Sequence, residues 1–264
     1  SAATMRTWQG RRRVSVRIVL PAAILVLAGS GAAQKAPDLP EAYRTAREAY
    51  HEAAASKDKQ KLAAAIPDLA RAAADGGAPL PKEDARKILR KHLRTHDALV
   101  LDAALRGYGI LALRKSSQDL KPLVLRRLNE RRPQKVKIAA LQAWASIHDP
   151  GTHADLLEYI RVPSHLKEQR ELAAVAARCL GAYKEIPKKH RYELLKDLMH
   201  TFDGIQRAGS GTVMPSAAAA EWLAALSGPM VGSFNALTGQ KCATYHECVR
   251  WWKKNKRKLK AESG

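Results

Sequence analysis

Apolar positions fall at helical spacing along most of the chain. Ala42, Ala46, Tyr50 and Ala53 share one face after Pro40, and Leu62, Ile66, Leu69 and Ala73 share another after Asp58. A period near 3.6 predicts amphipathic helices over about 40–56 and 58–75. Asp75-Gly76-Gly77 closes the second, and Pro67 inside it predicts a kink or a break. Pro81-Lys82-Glu83-Asp84 marks a helix start, with proline in the first turn and acids facing the helix dipole; this helix should reach about Arg94. Another is expected from His96-Asp97 to Leu113. No stretch alternates with period two. The apolar residues are mainly Ala and Leu, whereas strands favour β-branched and aromatic types, so the fold class is all-α.

The pattern then repeats. Ala103-Ala104-Leu105 returns 36 residues later as Ala139-Ala140-Leu141, and Tyr108 lands on Trp144. Ser116-x-x-Asp119-Leu120 returns as Thr152-x-x-Asp155-Leu156, and Leu123-Val124 as Tyr159-Ile160. The face Ala104, Gly107, Tyr108, Leu111 recurs as Ala140, Ala143, Trp144, Ile147, and with a shorter offset as Ala173, Ala176, Ala177, Leu180. Small residues on a helix face let neighbouring helices approach closely. Ser116 and Thr152, each with an acid three residues on, carry the capping-box signature, and Asp149-Pro150-Gly151 supplies a tight turn. Leu194, Leu195, Leu198 and Met199 belong to the next outer helix. A fixed period in the thirties predicts an α-solenoid of stacked antiparallel helical hairpins. Arrays of this kind present extended surfaces to other macromolecules.

Residues 136–160, from Val136-Lys137-Ile138-Ala139-Ala140-Leu141 through His148-Asp149-Pro150 to Leu156-Leu157, resemble the HEAT-repeat family, with weaker matches from about 100 and to about 200. In that family an Ala-rich helix, a short Asp-Pro-type turn and a Leu-rich helix form each unit. The resemblance implies a right-handed superhelix that scaffolds or binds proteins, and it transfers no catalytic residue. Phe234-Asn235-Ala236-Leu237-Thr238-Gly239-Gln240 followed by Trp251-Trp252-Lys253-Lys254-Asn255 looks like the Leu-Thr-Gly…Trp-Trp ending of many exported bacterial HEAT-repeat proteins. Physically, this end reads as a helix stopped by Gly239, a loop, and a last helix over 244–260 capped by Thr244-x-x-Glu247. Tyr245, Cys248, Val249 and Trp252 share a face there that would close the open end of the stack.

The first residues read as an address. Arg6, Arg11, Arg12, Arg13 and Arg17 precede an apolar run from Ile18 to Ala28, and Gly29-Ser30-Gly31-Ala32-Ala33 offers small residues for a signal peptidase. Residues 1–33, including four before Met5, are therefore expected to be a signal peptide cleaved after Ala33, with a periplasmic or extracellular destination. An uncleaved anchor is the competing reading, but eleven apolar residues interrupted by Pro21 fall short of the roughly 20 that span a bilayer. No Cys follows the run, which disfavours a lipoprotein, and Arg12-Arg13 is only a weak twin-arginine signature. The remainder divides into N-terminal hairpins over 34–95 and a repeat region over 96–264.

Charge adds a candidate chemistry. Net charge is +21, and cleavage would leave about +16 over 231 residues. Three clusters carry it: Lys87, Arg90, Lys91 and Arg94 along one helix; Arg126, Arg127, Arg131, Arg132, Lys135 and Lys137 around one turn, opposed only by Glu130; and Arg250, Lys253, Lys254, Lys256, Arg257, Lys258 and Lys260 at the C-terminal end. A solvated surface is the plain reading. The functional one is an anionic partner (envelope polymer, lipid or nucleic acid) bound largely through ion release. It implies salt-sensitive retention on heparin and loss of that retention when 126–137 is neutralised. A basic HEAT-like solenoid also resembles the DNA-alkylation-repair glycosylases, a reading the export signal opposes.

Other chemistry is sparse. Cys242 and Cys248 flank the last helix start, and a disulfide or two free thiols both remain open; Cys179 is expected to be a buried apolar residue. Cys242, His246 and Cys248 lack a fourth metal ligand nearby. His92 and His96 stand at i, i+4 amid Lys91 and Arg94, and His148 and His153 flank the Asp-Pro-Gly turn, so neither pair is expected to hold a metal. Gly209-Ser210-Gly211 reads as a flexible loop, not a nucleophile elbow. The expected protein is therefore a non-enzymatic, cofactor-free scaffold for a protein partner, with polyanion binding as the alternative.

Overall fold

The computed structural model describes residues 39–125, 132–210 and 216–264. Helix starts follow local chemistry. Pro40 precedes α1 (Glu41–Ala55). The Asp58 carboxylate accepts from the Gln60 and Lys61 amides to open α2 (Lys59–Asp75). Asp97 does the same through Leu99 and Val100 for α4 (Ala98–Leu111), while also pairing with Lys59 at 2.9 Å. Between them α3 (Pro79–His92) starts on Pro79, two residues before the start expected from Pro81. Then come α5 (Ser116–Val124), α6 (Gln134–Ser146), α7 (His153–Arg161), α8 (Lys167–Leu180), a 3-10 turn (Gly181–Glu185), α9 (Lys188–Ser210), α10 (Ala217–Thr238) and α11 (Tyr245–Ala261). The described residues are all-helical, with no strand among them.

Successive helices do not simply pair; alternate ones do as well. Helix α2 packs on α4, α4 on α6, α6 on α8, and α8 on α10. The intervening helices lie against this series, α3 on α2 and α4, α5 on α6, α7 on α8, and α9 on α10. Ala104, Tyr108, Ala140, Trp144, Ala173, Ala176, Ala177 and Leu180 are all buried in one continuous core, which also takes in Tyr43, Ile66 and Leu69 from α1 and α2. Residues 39–95 thus share their apolar interior with the repeat region. Gly107 permits part of this, since a Cβ there would stand 3.0 Å from the Leu89 side chain.

Three local expectations need correction. Of the kink or break expected at Pro67, the break does not occur: α2 runs through it with Ile66, Leu69 and Ala70 buried on either side. Packing of both flanks outweighs the lost amide donor. Ser116 and Thr152 make no capping bonds. Thr152 Oγ1 instead donates to the Asp149 carbonyl at 2.7 Å and shares a 2.6 Å hydrogen bond with Tyr183, while the buried Ser116 hydroxyl lacks a partner among the described residues. Asp119 is used elsewhere, by Arg86 and Arg90. Finally, Gly209 and Ser210 end α9 rather than forming a loop. A Cβ on Gly209 would come within 2.6 Å of the Leu223 Cβ, so α10 crosses α9 where only glycine fits. Gly211 lies outside the described residues.

The turn and C-terminal cap follow their expected chemistry. Gly239 ends α10 in the left-handed region at φ 72, and its amide donates to the Asn235 carbonyl. Thr244 accepts from the Glu247 amide at 3.4 Å, and the Glu247 carboxylate accepts from the Ala243 amide at 2.8 Å.

Candidate functional site

The 36-residue period has a structural counterpart at the ends of α5 and α7. Both helices stop with terminal carbonyls to satisfy, a cost if these are buried. Tyr159 donates its hydroxyl to the Val124 carbonyl, and Trp222 Nε1 donates to the Ile160 carbonyl at 2.9 Å. Val124 and Ile160 hold the same repeat position, and each is tied to a later helix by an aromatic donor, on α7 and α10 respectively. Trp144 Nε1 similarly donates to the Thr152 carbonyl at 3.2 Å. Period alone could not identify Trp222 as a donor, because its own position has no repeat-equivalent counterpart.

Asp119 is the centre of a second construction. Its carboxylate is 5 % exposed and meets Arg86 at 2.7 Å and Arg90 at 3.3 Å, while Tyr108 donates its hydroxyl at 3.3 Å. Arg86 also reaches Glu83 at 3.3 Å, and Lys115 reaches Glu83 at 3.4 Å. Burial opposes the Arg86 charge, but the Asp119 and Glu83 carboxylates more than restore it, leaving the guanidinium pKa raised. Burial, then the Asp119 charge, pushes the Tyr108 phenol up. Among the described residues no arginine pairs with the repeat partner Asp155: Pro122 stands 36 residues after Arg86, and only the charges of Lys121 and His153 favour its carboxylate. Burial raises the Asp155 carboxyl.

The three basic clusters now separate. Lys87, Arg90 and Lys91 on α3, and Arg94 just past its end, are exposed, but Arg90 is bound to Asp119. Arg126, Arg127, Arg131 and Glu130 lie outside the described residues. Of their companions, Arg132 is half-buried, and Lys135 is exposed with Asp102 at 3.9 Å. Lys137 departs from the expected contact set because it is buried on α6. Helix α11 is different. Arg250, Lys253, Lys254, Lys256, Arg257 and Lys260 are exposed, and no carboxylate pairs with them among the described residues; Lys258 alone contacts Glu262, at 3.9 Å.

Helix α11 holds this face outward by burying the other. Cys248 is fully buried, Tyr245 packs edge-on to Phe202 and donates to Asp203 at 2.6 Å, Trp251 meets Phe234 edge-on, and Trp252 lies over Tyr192. Asn235 fixes the incoming loop from both sides: its amide donates to the Cys242 carbonyl at 2.8 Å, and its carbonyl accepts from the Cys242 amide at 2.9 Å. Cys242 and Cys248 are free thiols in contact, with burial and then Cys242 pushing the Cys248 thiol up to about 12. Cys179 is half-buried on α8, its thiol also raised to about 12 by burial.

Between the 3-10 turn, the start of α9, the end of α10 and α11 opens a cleft of about 750 Å³. Ile186, Leu195, Leu237, Trp251 and Leu259 supply its apolar lining, and Lys184, Lys188 and Arg191 its cations. A second depression of about 650 Å³ lies along α9 and includes Arg161, Pro163, His200 and Ile205.

The histidines find other roles. His92 shares a 2.7 Å hydrogen bond with Tyr50, and burial, then Lys91, lowers its pKa, whereas His96 is exposed beyond the helix end. His153 donates from Nδ1 to the Pro150 carbonyl at 2.8 Å and faces Asp197 at 3.6 Å. Among the described residues no group of His, Cys, Asp and Glu is arranged to hold a metal ion, and no helix is long and apolar enough to cross a membrane.

No protein-family model and no curated protein matches the chain. Its structure is similar to the crystal structure of an engineered protein at TM-score 0.43 and 16 % identity, covering 85 % of this chain and 95 % of that one.

Proposed function

We propose that this chain is an exported, non-enzymatic HEAT-like α-solenoid that holds another protein. The observation behind this reading is the packing of α2, α4, α6, α8 and α10 in series, with the intervening helices laid against them. The repeat-equivalent carbonyls of Val124 and Ile160, each bound by an aromatic donor, support the same architecture. A right-handed superhelix is part of the proposal. Export rests on residues 1–33, which lie outside the described residues. Affinity capture with residues 34–264 from cell-envelope extract tests the scaffold role. One stoichiometric protein partner retained at both low and high salt is the expected result, and recovery of mixed anionic material only at low salt would overturn it.

A second reading, polyanion contact, is favoured by α11, where six exposed cations lack a carboxylate partner among the described residues. Between Lys253 and Arg257 stand only Lys254, Asn255 and Lys256, with no apolar side chain, so binding there should be electrostatic and strongly salt-dependent. Reversing Lys253, Lys256 and Arg257 to Glu should move heparin elution to clearly lower salt. The log–log salt slope should fall by about 1 for each cation that no longer neutralises an anionic group. Unchanged elution would reject α11 as the binding face. The α3 stripe should contribute less, since Arg90 is engaged with Asp119.

A further inference from the structure

From the cleft at the C-terminal end, we infer a binding site for a single-chain amphiphile with one carboxylate head. This goes beyond the scaffold and polyanion readings, which concern macromolecules and the outward face of α11. The cleft volume, about 750 Å³, falls in the range of small-molecule sites. Such sites combine an apolar lining with a few placed polar groups. Here the half-buried Trp251 and Leu259 offer the apolar wall, and the lining also includes the edges of the buried Leu195 and Leu237.

The charges point to an anionic head, and the apolar wall to a single chain behind it. Glu185 is matched by Lys184 at 3.9 Å, and Glu262 by Lys258 at 3.9 Å. Lys188 and Arg191 are left without a carboxylate partner among the described residues. The Arg191 guanidinium is oriented by donating Nη1–H to the Lys184 carbonyl at 2.8 Å, with its remaining N–H groups available. A carboxylate between Lys188 and Arg191 would neutralise a local excess of positive charge, and its chain would cover the Trp251 and Leu259 surface. A neutral amphiphile gains only the second term. A strongly polar dianion would leave the apolar wall uncovered.

The wall exists because of how α11 closes the fold. Trp251 is set edge-on against Phe234 of α10 at a centroid distance of 5.6 Å, and Trp252 lies over Tyr192 of α9 at 5.8 Å. The two ring pairs hold α11 as a strut from α9 to α10, and Lys188 lines the space beside it.

Equilibrium dialysis of the full chain against dodecanoate below its micelle concentration tests the site, with dodecanol as the neutral probe. Saturable 1:1 binding of dodecanoate, tighter than dodecanol, is expected. Lys188→Glu should weaken dodecanoate about tenfold or more and change dodecanol little, whereas Lys188→Arg should retain binding. Leu259→Glu, at a half-buried surface position, should weaken both probes with helical circular dichroism unchanged. The α11 reversal Lys253→Glu/Lys256→Glu should leave dodecanoate binding intact while lowering heparin retention, which separates this site from the polyanion reading. No saturable binding would overturn the inference. So would equal loss of both probes in Lys188→Glu, or binding to anionic phospholipid vesicles without binding of monomeric dodecanoate.

Discussion

Asp119→Ala should lower the unfolding free energy by about 3 kcal/mol, because breaking a buried ion pair strands the remaining charge. Arg86 is that stranded group: its side chain is 17 % exposed and keeps only Glu83 at 3.3 Å. Arg90 is mostly exposed and returns to water at little cost. The Tyr108 hydroxyl loses its acceptor as well. For a chain of this size the change should appear as a fall in Tm of roughly 6–12 °C. Urea unfolding of Asp119→Ala, Arg86→Ala and the double variant gives the coupling between the two groups. A single-variant loss under about 1 kcal/mol would mean that water already solvates the pair as it does surface bridges. Asp155→Ala is the internal control, since that carboxyl holds the equivalent repeat position with no arginine paired to it among the described residues, and it should cost far less.

Trp222→Ala should cost about 4 kcal/mol, within the range for deleting a buried large aromatic side chain. Trp222 is 1 % exposed, and its indole also satisfies the Ile160 carbonyl at the end of α7. Against a total stability of roughly 5–15 kcal/mol, that loss removes a large share of the fold's margin. Trp222→Phe retains most of the apolar volume but not the donor, so a smaller loss of about 2 kcal/mol is expected. Tyr159→Phe removes the repeat-equivalent bond to Val124 with almost no change in volume and should fall near ~1 kcal/mol. Chemical denaturation with a common slope checks all three. If Tyr159→Phe proves neutral, the carbonyl of Val124 is satisfied by other means and the aromatic-cap account of the repeat fails.

Helix existence was legible in the chain because burial at a period of 3.6 leaves a direct trace in residue order. The faces Ala104–Leu111, Ala140–Ile147 and Ala173–Leu180 all entered the core, and the last helix placed Cys248 inward as its spacing required. Local capping was legible only where no tertiary competitor acted. Thr244 and Glu247 cap α11 at an exposed end. At Ser116 and Thr152 the same signature was overridden, because α3 arginines took Asp119 and Tyr183 took the Thr152 hydroxyl. Gly209 has the local look of a loop but ends a helix, for a related reason. Its role is set by Leu223 of another helix, and glycine carries no sequence mark for close approach.

The candidate surfaces divide along the same line. Residue order alone determined that the chain is helical, that its helices recur with a 36-residue offset, and that cations concentrate at α11. Only the tertiary structure decided which cations remain available: Arg90 is drawn to Asp119, Lys137 is buried, and Lys253, Lys256 and Arg257 stay exposed. The cleft beside Lys188 likewise joins residues from 184 to 262, whose juxtaposition requires α11 to fold back across α9 and α10. The physical reason is range: helical periodicity is written by neighbours three or four positions apart, whereas charge pairing and cavity shape arise from groups brought together only by packing.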